Sequence, residues 1–189
     1  MEHSNEVATR QTTYTRHIIY LVCLFILVLI LDIITKQLIL GDLEPGESVQ
    51  ILGDTVRLTY ILNPGGAFGL SIGSNVVYLA VSLIVIAVVI YTMWRRLARS
   101  KVIDFSLAAV VGGAVGNLID RLRFGAVVDF LDVDIPDIDI FGIYMQRWPI
   151  FNVADAAVTV GMIMIILALL VSRPEAEQSL NNSDDTLKD

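Results

Sequence analysis

Two aspartates stand where water is scarce. Asp155 lies near the start of FNVADAAVTVGMIMIILALLV (151–171), a run apolar and long enough to cross a bilayer, and it is the only charge there. Asp129 follows Gly125 in GNLIDRLRFGAVVDF (116–130), flanked by Val127, Val128 and Phe130. Ionisable groups in such surroundings usually face a partner or a cavity. Taken alone, Asp129 also reads as a solvated loop acid. If the two carboxyls converge, desolvation and repulsion raise one pKa and the pair holds a single proton. The protonated member can donate to a substrate carbonyl while the ionised one takes a proton from water. This is aspartic-protease chemistry, and it needs no metal, no cofactor and no covalent intermediate.

Other hydrolytic chemistries lack their residues. The two histidines, His3 and His17, are both N-terminal, and no H-E-x-x-H zinc motif or presenilin-type G-x-G-D element occurs. The single cysteine, Cys23, falls inside an apolar run, so neither an intramolecular disulfide nor a Cys–His pair is available. Further polar residues in apolar context include Asp32, Lys36, Asn117, Asp120 and Arg121. Asp32 and Lys36 are four apart and share a helix face, in the favourable acid-then-base order. They read as an intrahelical pair with Lys36 snorkelling to the interface. Asp120 and Arg121 read as an ion pair and cap where a span ends.

The elements that must position these groups are membrane helices. The chain has 189 residues, 55% hydrophobic and 17% charged, with a mean hydropathy of +0.69. A spanning helix needs about 20 apolar residues, and four segments qualify, approximately 18–40, 76–94, 102–118 and 153–171. The third is the shortest and needs its flanks to reach both interfaces. The fold class is therefore an all-α integral membrane bundle of four transmembrane helices with small β-rich loop elements on the extracytoplasmic side. Residues 1–16 read as a polar cytoplasmic tail, disordered or interfacial; 17–172 as the membrane domain; and 173–189, acidic and without aromatics, as a disordered tail. No signal-peptide cleavage site follows the first span.

Orientation follows the basic residues. WRRLARSK carries Arg95, Arg96, Arg99 and Lys101, whereas the loop after the first span holds Asp42, Glu44, Glu47 and Asp54 against Arg57. The loop after the third span holds six aspartates against Arg121, Arg123 and Arg147. Both termini are thus expected in the cytoplasm and both long loops outside. SVQILGDTVRLTYIL fits two short strands joined by a turn at Gly53-Asp54. Ser74 or Asn75 suits the cap of the second span. VVDFLDVDIPDIDIFG alternates apolar and acidic residues and reads as extended. Gly112 and Gly116 give the third span a close-packing spacing.

At DIITK (32–36), NPGGAF (63–68), GNLIDR with VVDF (116–130) and FNVAD (151–155), the chain resembles signal peptidase II, the bacterial lipoprotein signal peptidase, an aspartyl protease family. The resemblance implies a catalytic pair at Asp129 and Asp155. It also implies lining or support from Asn63, Gly65, Asn117, Asp120, Arg121 and Asn152, with Asp32 and Lys36 stabilising the region. The implied substrates are prolipoproteins carrying diacylglyceryl-cysteine, cut just before that cysteine in the bacterial inner membrane. Globomycin would inhibit. No cofactor, metal or nucleic acid is implied, the surrounding partner is membrane lipid, and a monomer suffices. Two departures stand out: Ala156 where the family has serine, and a long aspartate-rich insert at 132–147. The rival readings are a small proton-coupled transporter relaying through Asp32, Asp120 and Asp155, and a non-catalytic assembly subunit. The first needs polar groups spread through the membrane depth, whereas here they gather at one end.

Overall fold

The computed structural model describes residues 2–65, 74–96, 100–140 and 143–171. Four helices, α1 (Glu2–Asp42), α2 (Asn75–Arg96), α3 (Lys101–Phe124) and α4 (Val153–Val171), accompany four strands, β1 (Ser48–Leu52), β2 (Val56–Asn63), β3 (Val127–Ile140) and β4 (Ile143–Arg147). All four helices are long and apolar enough to span a membrane. Two boundaries differ from the hydropathy reading. The helical backbone of α1 begins at Glu2, within the tail expected to be disordered or interfacial. Helix α3 runs to Phe124 rather than stopping near 118, because the polar residues that end its hydrophobic run are paired inside the protein. The tail after 171 lies outside the described residues.

α3 is the central helix and packs against each of the others. Its glycines permit this. A Cβ on Gly112 would press against Val28 and the Phe25 carbonyl of α1, and one on Gly113 would collide with the Ala154 carbonyl of α4. Gly116 lies against the Asp32 carboxylate, while Gly161 of α4 reciprocates against Val110 and Ser106. Gly113→Ala is expected to force α3 from α4 and destabilise by about 1–3 kcal/mol, the usual range for overpacking. Thermal unfolding in detergent measures it; an unchanged midpoint contradicts the packing described.

Ser100 caps the start of α3, its hydroxyl accepting from the Ile103 amide, and Gly125, at φ 72°, closes the other end by donating its amide to the Arg121 carbonyl. Asp120 and Arg121 therefore sit within the helix and not at its cap. Asn75 begins α2, but its side-chain amide donates across to the Arg121 carbonyl (3.3 Å). At the end of the bundle remote from the sheet, His17 and Asp104, both buried, join α1 to α3 at 2.8 Å, so buried polar groups are not confined to one end, contrary to the expectation from sequence.

The sheet is antiparallel in the order β1-β2-β3-β4. The two connections expected to be extended thus form one structure, with Asn63 opposite Val127 and Ile61 opposite Asp129. Tyr60, Val128 and Phe130 pack with Ile39 of α1 into a small apolar core. That core fixes the sheet on the helix end where Asp32 and Lys36 lie.

Candidate active site

Asp129 is on β3 and Asp155 in the first turn of α4. Asp129 is 1% exposed, so it is not a solvated loop acid. The residue joining the two aspartates is Asn152. Its side-chain amide donates to Asp129 Oδ1 (2.7 Å) and its backbone amide to Asp155 Oδ2 (3.3 Å). In return the Asp155 amide donates to Asn152 Oδ1 (2.8 Å). Asn152 and Asp155 therefore form a reciprocal capping box at the α4 N-terminus, with aspartate where glutamate is usual. Both aspartates line one cavity of about 360 Å³, together with Asn63, Asn117, Arg121, Trp148 and Ala156.

Three asparagines hold the carboxylates, and each has its amide orientation forced. Lys36 Nζ can only donate, so the atom it meets on Asn117 (2.9 Å) must be the oxygen. The Asn117 amide nitrogen then faces Asp155 Oδ1 (2.7 Å). The Gly65 amide donates to Asn63 Oδ1 (2.9 Å), which turns the Asn63 nitrogen onto Asp129 Oδ2 (3.0 Å). The Asp155 amide likewise fixes Asn152, whose nitrogen also meets Asn117 Oδ1 (3.1 Å) and the Val128 carbonyl (3.2 Å). Every carboxylate oxygen of the pair so receives a donor.

Lys36 anchors this scaffold. It is 1% exposed, contacts Asp32 Oδ2 and Asp120 Oδ2 at 2.7 Å each, and does not snorkel. Its ammonium thus sits between two carboxylates and donates to Asn117 Oδ1. Asp32 Oδ1 takes the Ala154 amide (2.9 Å), while Asp120 Oδ2 takes the Val128 amide (3.1 Å), so the triad links α1 and α3 to the segments carrying both aspartates. The expected Asp32–Lys36 pair is present, but Asp120 pairs with Lys36 instead of Arg121. Arg121 reaches the Gly65 carbonyl (3.3 Å) and lies over the Tyr78 ring (5.6 Å). The rest of NPGGAF, from Gly66 to Phe68, lies outside the described residues.

Burial pushes the Asp129 carboxyl up to about 7, and the Asp155 charge adds to this; hydrogen bonds from Asn63 and Asn152, with the Lys36 charge, oppose it. Asp129 is therefore a carboxylic acid that keeps a proton close to neutral pH. The sequence did not single out Trp148, Pro149 and Ile150, which form one wall of the cavity, or Thr159, one helical turn beyond Asp155. Among the described residues no cluster of metal-ligating side chains occurs.

A family model described as signal peptidase (SPase) II matches residues 24–171. The lipoprotein signal peptidase of Moorella thermoacetica is 42% identical over 156 residues, covering 82% of this chain and 94% of the relative. That of Desulforapulum autotrophicum is 38% identical over 164 residues, covering 84% and 96%. A solved bacterial membrane enzyme, determined at 1.9 Å, superimposes with a TM-score of 0.71 at 29% identity, over 82% of this chain and 94% of its own.

Proposed function

The chain belongs to the signal peptidase II family, and from that premise we propose that it is an aspartic endopeptidase that cuts prolipoproteins immediately before a diacylglyceryl-modified cysteine. One observation carries the aspartic assignment: the buried carboxyl of Asp129 and the half-buried one of Asp155 share one cavity, bridged by Asn152, and Asp129 holds a proton near neutrality. In this reading protonated Asp129 donates to the scissile carbonyl oxygen while ionised Asp155 takes a proton from the attacking water. A tetrahedral gem-diol forms. Asp155 then returns its proton to the leaving nitrogen, the C–N bond breaks, and a gem-diol hydroxyl proton goes back to Asp129. The pair ends as it began.

A substrate that is itself a membrane segment with two acyl chains leaves the bilayer at great cost, so the protease must work within it. Support for placing the site at the extracytoplasmic face comes from the basic 95–101 connection at the other end, with both termini then in the cytoplasm. Lateral access along α4 would leave the acyl chains in lipid of the bacterial inner membrane, and nothing in this chemistry requires more than one subunit.

The deciding assay offers purified enzyme a synthetic peptide with diacylglyceryl-cysteine and the same peptide with free cysteine. Cleavage of the first alone, giving a product that begins at the lipidated cysteine, is expected. Equal cleavage of both, or of neither, removes the reading. The pH profile gives a second check. Because Asp129 must be protonated, kcat/KM should fall as pH rises through about 7. Asn63→Ala removes a hydrogen bond that favours the charged form, so the Asp129 pKa rises further and the alkaline limb moves to higher pH. A limb that stays in place, or moves to lower pH, contradicts the assignment of the proton.

A further inference from the structure

In the aspartate-rich segment 132–147, β3 pairs antiparallel with β4, and the outer ends of the pair are tied together. Arg147 Nε donates to Asp132 Oδ1 (2.6 Å) and one terminal nitrogen to the Asp132 carbonyl (3.3 Å). The other donates to the Asp54 carbonyl (3.0 Å), in the turn between β1 and β2. The same turn accepts the Asp134 amide at the Thr55 carbonyl (2.8 Å), and Asp132 is held independently by the Thr59 hydroxyl (2.9 Å). One guanidinium thus closes the pair at those ends and pins it to a turn 93 residues earlier in the chain. Only a planar fork of donors reaches a carboxylate and two carbonyls at once; a lysine does not.

Immediately after Arg147 the chain becomes the cavity wall. The Trp148 amide donates to the Val133 carbonyl (2.9 Å), and Phe151 exchanges hydrogen bonds with Leu131 (2.7 and 3.1 Å). Trp148, Pro149 and Ile150 cross the gap between those two anchors and face the cavity holding Asp129 and Asp155. Asp129 and Asp155 themselves are held by Asn63, Asn117 and Asn152, none of which Arg147 touches.

We infer that Arg147 is a positioning residue: its clasp on Asp132 and the Asp54 turn fixes the 148–150 wall against which the substrate lies. The inference rests on the cavity being the peptidase site. A wall free to swing holds the substrate less well but leaves the acid–base pair intact.

The test is Arg147→Met, made in a Trp94→Phe background so that Trp148 is the remaining tryptophan. KM for the diacylglyceryl peptide is expected to rise roughly tenfold while kcat and the pH profile stay within about twofold, as befits lost positioning with intact chemistry. Acrylamide quenching of Trp148 should increase in the same variant. Arg147→Lys keeps the charge beside Asp132 but loses the carbonyl bridges, and is expected to fall between; it carries the test if the Met variant does not fold. Unchanged KM with unchanged quenching overturns the inference, as does a loss of kcat at constant KM, which a merely less stable enzyme would show. If the parent protein cleaves no peptide, the peptidase reading fails, while Trp148 quenching still decides the clasp.

Discussion

Asp129→Asn and Asp155→Asn are each expected to lower cleavage of a diacylglyceryl-modified precursor by at least roughly a thousandfold, since each removes a proton donor or acceptor from the reacting centre. Both variants should still insert and fold. Asparagine fills the same volume and keeps one acceptor. It loses the second, so an amide group then faces the donor from Asn63 or Asn152 at position 129, and from Asn117 or the Asn152 backbone at position 155. That mismatch costs about 1–3 kcal/mol; at position 155 loss of the negative charge offsets it, whereas at position 129, where the carboxyl already holds a proton, it does not, so Asp129→Asn should be the less stable of the two. Precursor and product separated by gel mobility, beside gel filtration of the purified variants, read both quantities. Undiminished cleavage in either variant removes that residue from the chemistry.

Lys36→Met is expected to be the most damaging single change outside the pair. It leaves Asp32 and Asp120 buried without their cation, and breaking a buried ion pair from one side costs about 3–5 kcal/mol. It also takes away one of the two donors that orient Asn117 and a cation whose charge acts on Asp129, so activity should fall further than stability alone explains. The triple variant Asp32→Asn, Lys36→Met, Asp120→Asn retains acceptors for the Ala154 and Val128 amides without the stranded charges. It should recover most of the lost melting temperature but not the activity. A Lys36→Met protein as stable and active as the parent contradicts the role given to the triad.

Much of this site is written locally. The four spans follow from hydropathy, and the β1–β2 turn from Gly53-Asp54 between β-branched runs. The third span shows where such reading stops. GNLIDRL breaks the apolar run, yet the helix continues to Phe124, because Asp120 finds Lys36 and Asn117 finds both Lys36 and Asp155. Partners 81 residues apart leave no trace in a window of twenty. The pairing of β2 with β3, which makes one sheet of two loops, is long-range in the same sense, as are His17 with Asp104 and Arg147 with the Asp54 turn. The Asn152-x-x-Asp155 capping box, by contrast, stands in the sequence as a local signature. It explains how a carboxylate is tolerated at the start of an apolar helix: its first turn offers unpaired amides. The cap also aims Asp155, and the capping residue, Asn152, donates to Asp129 as well.

The central claim is that Asp129 and Asp155 share one proton, and infrared difference spectroscopy between acidic and alkaline pH reads that proton directly. The wild-type protein should show a protonated-carboxyl band that disappears as pH rises through about 7. Asp129→Asn should lack it. Asp155→Asn, which removes the neighbouring negative charge, should lose it at lower pH than the wild type. A band that persists in Asp129→Asn, or that titrates at the same pH whether or not Asp155 is present, would show that the two carboxyls do not act as a pair.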